Sequence, residues 1–268
     1  MRDIHYEHLR PDEIILAQET KSIIYLPIGP LEWHGPAMPM GTDPVLAGVV
    51  AQKVAEKTGG LVLPVLYVGT ERERDRETMD SMGFEKEISY IIGQDFPRNT
   101  LPSFYFREEI FSLVIREYLR ILSMQKFRLI VIINGHGARN QSEVLQRLAA
   151  EFSAETESSV MIAGTFASIF ENDRFEGHGT KVETSMTMYA MKKDVDLNEL
   201  PKKPEPLKNC DWGIDGGMVY MHKPNKDKTI EPECDPRDAT SELGEHYIQA
   251  TVAQISREVE HMWSIIGE

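Results

Sequence analysis

The stretch Arg128-Leu129-Ile130-Val131-Ile132-Ile133-Asn134-Gly135-His136-Gly137-Ala138-Arg139-Asn140 decides the architecture. Its apolar, β-branched half reads as a buried strand. The strand runs straight into a polar loop, where glycines on both sides of His136 let the backbone turn sharply and aim one imidazole across the strand ends. Ser22–Ile28, Leu61–Val68 and Ser159–Thr165 have the same strand character. Helical patterns lie between them at Pro44–Lys57, Arg107–Lys126 and Gln141–Phe152, and further ones cover Lys181–Met191 and Ser241–Trp263. In the second helix Ile110, Val114, Tyr118 and Ile121/Leu122 share one face. Alternating strands and helices predict an α/β fold with a mainly parallel sheet. The Pro- and charge-rich stretch 192–239 reads as an irregular excursion, so residues 1–268 are expected to form one domain.

Parallel α/β sheets place ligands at the carboxyl ends of their strands, which draws attention to three loops. The first holds Glu32, His34 and Asp43, ahead of a helix opened by Pro44. Glu and His at i, i+2 on an extended segment point the same way, and Asp43 can fold back beside them. Taken alone, Asp43 also suits a helix N-cap. The second loop carries His136. The third runs Glu176-Gly177-His178-Gly179-Thr180-Lys181-Val182-Glu183-Thr184-Ser185, with Glu183 in the first turns of a helix and His178 in the glycine-flanked loop before it. Together these side chains form the ligand chemistry of borderline metals such as zinc or manganese. Carboxylates able to bridge point to two ions rather than one.

The 268 residues contain 29 Lys+Arg against 43 Asp+Glu, a formal charge of −14 that disfavours phosphate backbones and anionic lipid. Nucleic acid and membrane are therefore not expected partners. No apolar run approaches the roughly 18–20 residues of a membrane span, and Met1–His5 lacks the apolar core of a signal peptide, which predicts a cytoplasmic protein. The two cysteines, Cys210 and Cys234, form neither a disulfide framework nor a CxxC metal motif.

Gly29 through Asp43 resembles the creatininase family's G-x-x-E-x-H-G-x-x-x-P-x-x-T-D pattern; Asn134–Asn140 is similar to its N-G-H-G-x-N loop and His178–Ser185 to its H-x-x-x-x-E-T-S segment. The resemblance spans about 20 to 190. It implies a three-layer α/β/α fold, a homo-oligomer (usually a hexamer), and a dinuclear centre of divalent zinc, manganese or iron acting on a small-molecule substrate. It further implies Glu32, His34, Asp43 and His136 as metal ligands, with Asp43 bridging. Glu183 would complete the site or act on the bridging water, and His178 would bind substrate or serve as an acid.

Two departures bear on the substrate. Creatinine-hydrolysing members carry a metal-binding Glu two residues after the loop histidine, where this chain has Ala138; Glu183 is then the obvious replacement. The segments Thr70–Arg76 and Phe96–Tyr105 also leave the family pattern. Arg72 and Arg98 could reach a polar substrate from that edge, with Trp33 and Tyr105 as further candidates, although alternating Glu and Arg more simply make a solvated turn, and aromatics more often pack in a core or a subunit interface. The expectation is a metal-dependent hydrolase acting on a small polar ring, by cyclic amide hydrolysis or by carbon–carbon ring opening of a diketo-cyclitol of the 3-dehydro-scyllo-inosose type. The cyclitol is preferred to creatinine. A non-catalytic metal or small-ligand binding protein on the same fold is the alternative. His5, His8, His222, His246 and His261 show no ligand pattern and are expected on the surface or in packing.

Overall fold

The four apolar runs pair in parallel, side by side. In the computed structural model, which describes residues 3–71, 101–166, 178–205, 207 and 232–266, the sheet has the order β2-β1-β3-β4. Its strands are β1 (Ile23–Ile28), β2 (Leu61–Val62), β3 (Leu129–Asn134) and β4 (Ser159–Gly164). Every residue of β1 and β3 is buried, as expected for central strands covered on both faces.

The period-two alternation of these strands builds two cores. Ile24, Leu26, Ile28, Ile130 and Ile132 point to one side, where α1 (Pro11–Thr20), α3 (Glu108–Met124) and α4 (Arg139–Glu155) cover them through Ala17, Phe111, Ile115, Leu119, Leu145 and Leu148. Ile23, Tyr25, Leu129, Val131 and Ile133 point to the other, against α2 (Thr42–Thr58), α5 (Lys181–Ala190) and α6 (Ser241–Ile266). Leu46, Val50, Val54, Met186, Ile248 and Val252 fill that layer. Each fully buried aliphatic or aromatic side chain contributes about 1.5–3 kcal/mol. The result is the three-layer α/β/α sandwich the alternation implies.

Two expectations need correction. The run Leu61–Val68 is not one strand: regular pairing ends at Val62, and only an isolated bridge joins Leu66 to Ile28. Pro64 has no N–H to donate to a ladder, so the chain leaves and rejoins the sheet around it. The sequence reading also passed over α1, which buries only Ala17 and so shows no apolar stripe. In the expected excursion, the described residues form short 3₁₀ turns at Leu197–Glu199, Pro232–Cys234 and Pro236–Asp238. No described helix is long and apolar enough to cross a membrane.

Candidate metal centre

Strand register brings the three polar loops to one edge. Ile28 pairs with Asn134, and Asn134 with Gly164, so β1, β3 and β4 end level. The loop after β1 carries Glu32 and His34 and leads into α2, where Asp43 lies in the first turn. Gly41, not Asp43, is the N-cap of that helix, so the capping role open to Asp43 in the sequence is not the one it fills. The loop after β3 carries His136. Gly135 there is required by close approach: a Cβ at that position would lie 2.2 Å from the backbone oxygen of Asp43. Neither Gly135 nor Gly137 has a positive φ, so the turn does not need them in the way the sequence suggested. Gly179, just before α5, does adopt the left-handed region at φ 64°, and its N–H donates to Glu183 Oε2 at 2.6 Å.

Glu32, His34, Asp43, His136, His178 and Glu183 are all buried, each at 6% exposure or less. Their ligand atoms fall into overlapping groups. Glu32, Asp43 and His136 form one: His136 Nδ1 lies 3.0 Å from Glu32 Oε2 and 3.2 Å from Asp43 Oδ2. His34, Asp43 and Glu183 form another: His34 Nε2 lies 3.0 Å from Asp43 Oδ1 and 3.5 Å from Glu183 Oε1. Asp43 thus turns one carboxylate oxygen to each of these two groups; a third, Glu32, His34 and His178, overlaps them, with His178 Nε2 3.9 Å from Glu32 Oε1. Glu32 Oε2 and Asp43 Oδ2 are close enough to His136 for charge attraction, yet they are buried without an aligned hydrogen bond, as is His136 Nε2. Such orphaned donor atoms, oxygen and nitrogen only, are what a borderline divalent cation would satisfy.

Three buried carboxylates would repel one another strongly without compensating charge. Burial pushes the carboxyls of Glu32, Asp43 and Glu183 up, but the facing imidazoles outweigh it and hold all three below the ordinary range. Conversely, burial pushes His34 and His136 down, while Glu183 and Asp43 around the first and Glu32 and Asp43 around the second lift them well above 6.5. Without cations, imidazolium charge does the compensating.

A layer of backbone and amide contacts holds the cluster. His34 Nδ1 donates to its neighbour's Glu32 carbonyl at 3.0 Å, leaving Nε2 toward Asp43. Asn134 Nδ2 donates to the His136 carbonyl at 2.7 Å; Gln141 Nε2 donates to Asn134 Oδ1 at 2.7 Å, and the Thr70 N–H donates to Gln141 Oε1 at 2.8 Å. His178 Nε2 donates to the Trp33 carbonyl, its Nδ1 lies 4.0 Å from Glu183 Oε2, and its ring lies 4.0 Å from that of His34. Although set in a separate loop, His178 therefore sits against the cluster.

Of the residues expected to line a substrate site, Arg72 and Arg98 lie outside the described residues. Half-buried Trp33 offers its carbonyl to His178 and donates its N–H to Ser103 Oγ at 3.0 Å. Tyr105, also half-buried, donates its hydroxyl to Glu32 Oε1 and sets its ring 5.8 Å from that of His136. Burial and the Glu32 charge raise the Tyr105 hydroxyl well above 10, so it stays a donor. The Tyr105–Glu32 contact and the Asn134–Gln141–Thr70 chain were missed by sequence reasoning. Only the position of Asn134 and Gln141 beside His136 hinted at them.

The creatininase model, described as creatinine amidohydrolase, matches residues 7–259. The chain belongs to the creatininase family. It is 30% identical over 143 residues to the 2-amino-5-formylamino-6-ribosylaminopyrimidin-4(3H)-one 5'-monophosphate deformylase of Methanothermobacter thermautotrophicus, a match covering 53% of this chain and 51% of that protein. The deformylase of the same description from Methanosphaera stadtmanae is 24% identical over 204 residues, covering 75% and 73%. Creatinine amidohydrolase of Pseudomonas putida is 30% identical over 114 residues, covering 42% and 37%. The matches thus span about half the length of the first deformylase and a little over a third of the amidohydrolase. Among solved structures, a creatinine amidohydrolase crystal structure superposes with a TM-score of 0.69 at 20% identity, covering 98% of both chains. A structure titled "Creatininase Mn" gives 0.68 at 19% identity over 97% of this chain and 99% of that one. A mutant creatininase of "Zn-Zn type" gives 0.65 at 20% over 98% and 99%. These structures establish the shared fold.

Proposed function

We propose that this creatininase-family member is a divalent-metal-dependent hydrolase of small polar amides, a formamide or a cyclic amide, working through a two-ion centre bridged by Asp43. The observation that carries the reading is the division of Asp43: Oδ1 faces His34 and Glu183, and Oδ2 faces Glu32 and His136. Glu32, Asp43 and His136 would hold one ion, and His34, Asp43 and Glu183 the other. When bound, such ions supply a water ionised near neutral pH and a Lewis acid for a carbonyl oxygen. Zinc, manganese and iron all suit this donor set.

The chain's own groups do the rest. Tyr105 aligns Glu32, and the Gly179 N–H fixes Glu183 Oε2, leaving Oε1 toward His34. Amide hydrolysis adds water across the carbon–nitrogen bond, so a proton must reach the departing nitrogen. His178 is oriented for that task. The Trp33 carbonyl can only accept, which places a proton on Nε2 and leaves Nδ1 facing Glu183. With Nε2 held by the Trp33 carbonyl, Nδ1 of His178 is the atom that can take up the water's proton and pass it to the departing nitrogen, while Glu183 stays an ionised ligand. Burial of the whole cluster excludes bulk water and strengthens each electrostatic interaction.

The amide reading is supported by relatives named deformylase and amidohydrolase, both of which cleave carbon–nitrogen bonds. The ring-opening of a diketo-cyclitol drew on the polar segments Thr70–Arg76 and Phe96–Tyr105, of which 72–100 lie outside the described residues. We further infer that several copies assemble: Ile110, Leu113, Ile121 and Met124 leave an exposed apolar stripe along α3 that a second copy would cover. To test the activity, metal-stripped protein is reloaded with zinc, manganese or iron and offered an N-formylaminopyrimidine, creatinine and a diketo-inositol, with products followed by mass. Metal-dependent release of formate or opening of the cyclic amide is expected. Turnover of the diketone alone, or of nothing at full metal load, would overturn the reading.

A further inference from the structure

A second mixed cluster lies outside this centre, at Asp3, His5 and His8. Asp3 Oδ1 is 2.8 Å from His5 Nδ1 and accepts the His5 backbone N–H at 3.0 Å, while Asp3 Oδ2 is 2.8 Å from His8 Nδ1. The spacing has a structural cause. A 3₁₀ turn over Tyr6–His8, closed by the His8 N–H donating to the His5 carbonyl at 3.0 Å, puts positions three apart on one side. The two imidazole rings consequently stand 5.3 Å apart. The segment is anchored: His5 forms a parallel bridge with Val62, and the Val62 N–H donates to the Ile4 carbonyl at 2.8 Å. Among the described residues, Asp3 has ion pairs only with these two histidines, so no lysine or arginine occupies its carboxylate.

One ligand atom from each of the three residues lies within 4.8 Å of the others. Donors about 2.0–2.2 Å from a tetrahedral zinc ion sit roughly 3.3–3.6 Å from one another. Opening the 2.8 Å contacts to that spacing takes less than about 1 Å of side-chain movement in half-exposed residues. Two imidazoles and one carboxylate are a competent partial set for zinc, nickel or copper, with water filling the remaining positions. The net charge of −14 favours local cation accumulation.

We propose that Asp3, His5 and His8 form an auxiliary site for a borderline divalent cation that rigidifies the turn from Asp3 to His8, next to the backbone bridge to β2. The ion adds stability in proportion to its occupancy and takes no part in hydrolysis.

The test uses the full chain with its buried centre intact. Zinc bound per chain is counted by mass spectrometry after equilibrium dialysis over a range of free zinc, for the unaltered protein, His8→Ala and Asp3→Asn, with melting followed in parallel. The unaltered protein is expected to take up one more zinc than either variant, with the difference growing in at roughly micromolar free zinc. Its melting temperature should rise over that same range, and the variants should lose the rise while keeping amide turnover. His8→Asp, which retains a donor, should recover part of the extra uptake. Equal uptake by the unaltered protein and both variants overturns the site. Equal loss of every bound ion in His8→Ala would also overturn it, by showing that the segment supports the buried centre.

Discussion

Removing one oxygen atom, by Tyr105→Phe, is expected to weaken one half of the metal centre and spare the other. The hydroxyl donates to Glu32 Oε1, which leaves Oε2 toward His136 and Asp43. A hydrogen bond to a buried carboxylate is worth about 1.5–3 kcal/mol, or roughly 10- to 100-fold in affinity at about 1.4 kcal/mol per tenfold, the usual cost of losing a group that orients a metal ligand. The hydroxyl orients Glu32, assigned to the first ion, so the second ion, assigned to His34, Asp43 and Glu183, should bind unchanged. Titrating metal-stripped protein with zinc, with binding followed calorimetrically, should show two sites in the unaltered protein and one weakened about 10- to 100-fold in the variant. If both ions bound as before while KM rose, Tyr105 would be a substrate contact, one of the two roles the sequence leaves open to it. Equal weakening of both sites would refute the division of the centre argued here.

Other outcomes follow from the same geometry. Gly135→Ala places a Cβ 2.2 Å from the Asp43 carbonyl oxygen, and overpacking of that kind costs about 1–3 kcal/mol, so melting should fall by roughly 3–10 °C with loss of bound metal. His178→Asn should lower kcat by about 10²–10⁴-fold with metal content intact; metal loss would make His178 a ligand. The raised His34 and His136 are protonated in the metal-free protein at neutral pH and must lose those protons to bind an ion. Zinc affinity should therefore rise with pH, and calorimetry in buffers of different ionisation enthalpy should register proton release; binding without release would contradict the assignment. In the metal-free protein, the same raised imidazoles contribute stability that is complete below about 6.5 and lost as pH climbs through their higher folded values, so its melting temperature should fall on the alkaline side.

Much of this was legible in the sequence because burial leaves a strong mark. The runs at Ile23–Ile28 and Leu129–Asn134 had to be strands inside a sheet, and the polar residues after them had to gather at one edge. What escaped were features with little composition of their own. The helix Pro11–Thr20 buries one alanine, so its pattern is nearly all polar. Pro64 broke a run that looked continuous. Tyr105 meets Glu32 across 73 positions of sequence, a contact that spacing cannot reveal. The glycine at 135 was recognisable as necessary, but its reason, an approach to the Asp43 backbone, exists only once α2 is in place. The cluster at Asp3, His5 and His8 is short-range, yet its histidines carried no ligand pattern until the 3₁₀ turn brought them together.

The central claim is that Asp43 joins two ion sites. It is most directly tested by a crystal of the zinc-loaded protein and its anomalous scattering at the zinc edge. Two peaks are expected about 3.5–4 Å apart on either side of the Asp43 carboxylate, one against Glu32 and His136 and the other against His34 and Glu183. A single peak at Asp43, or none there at full zinc occupancy, would contradict it.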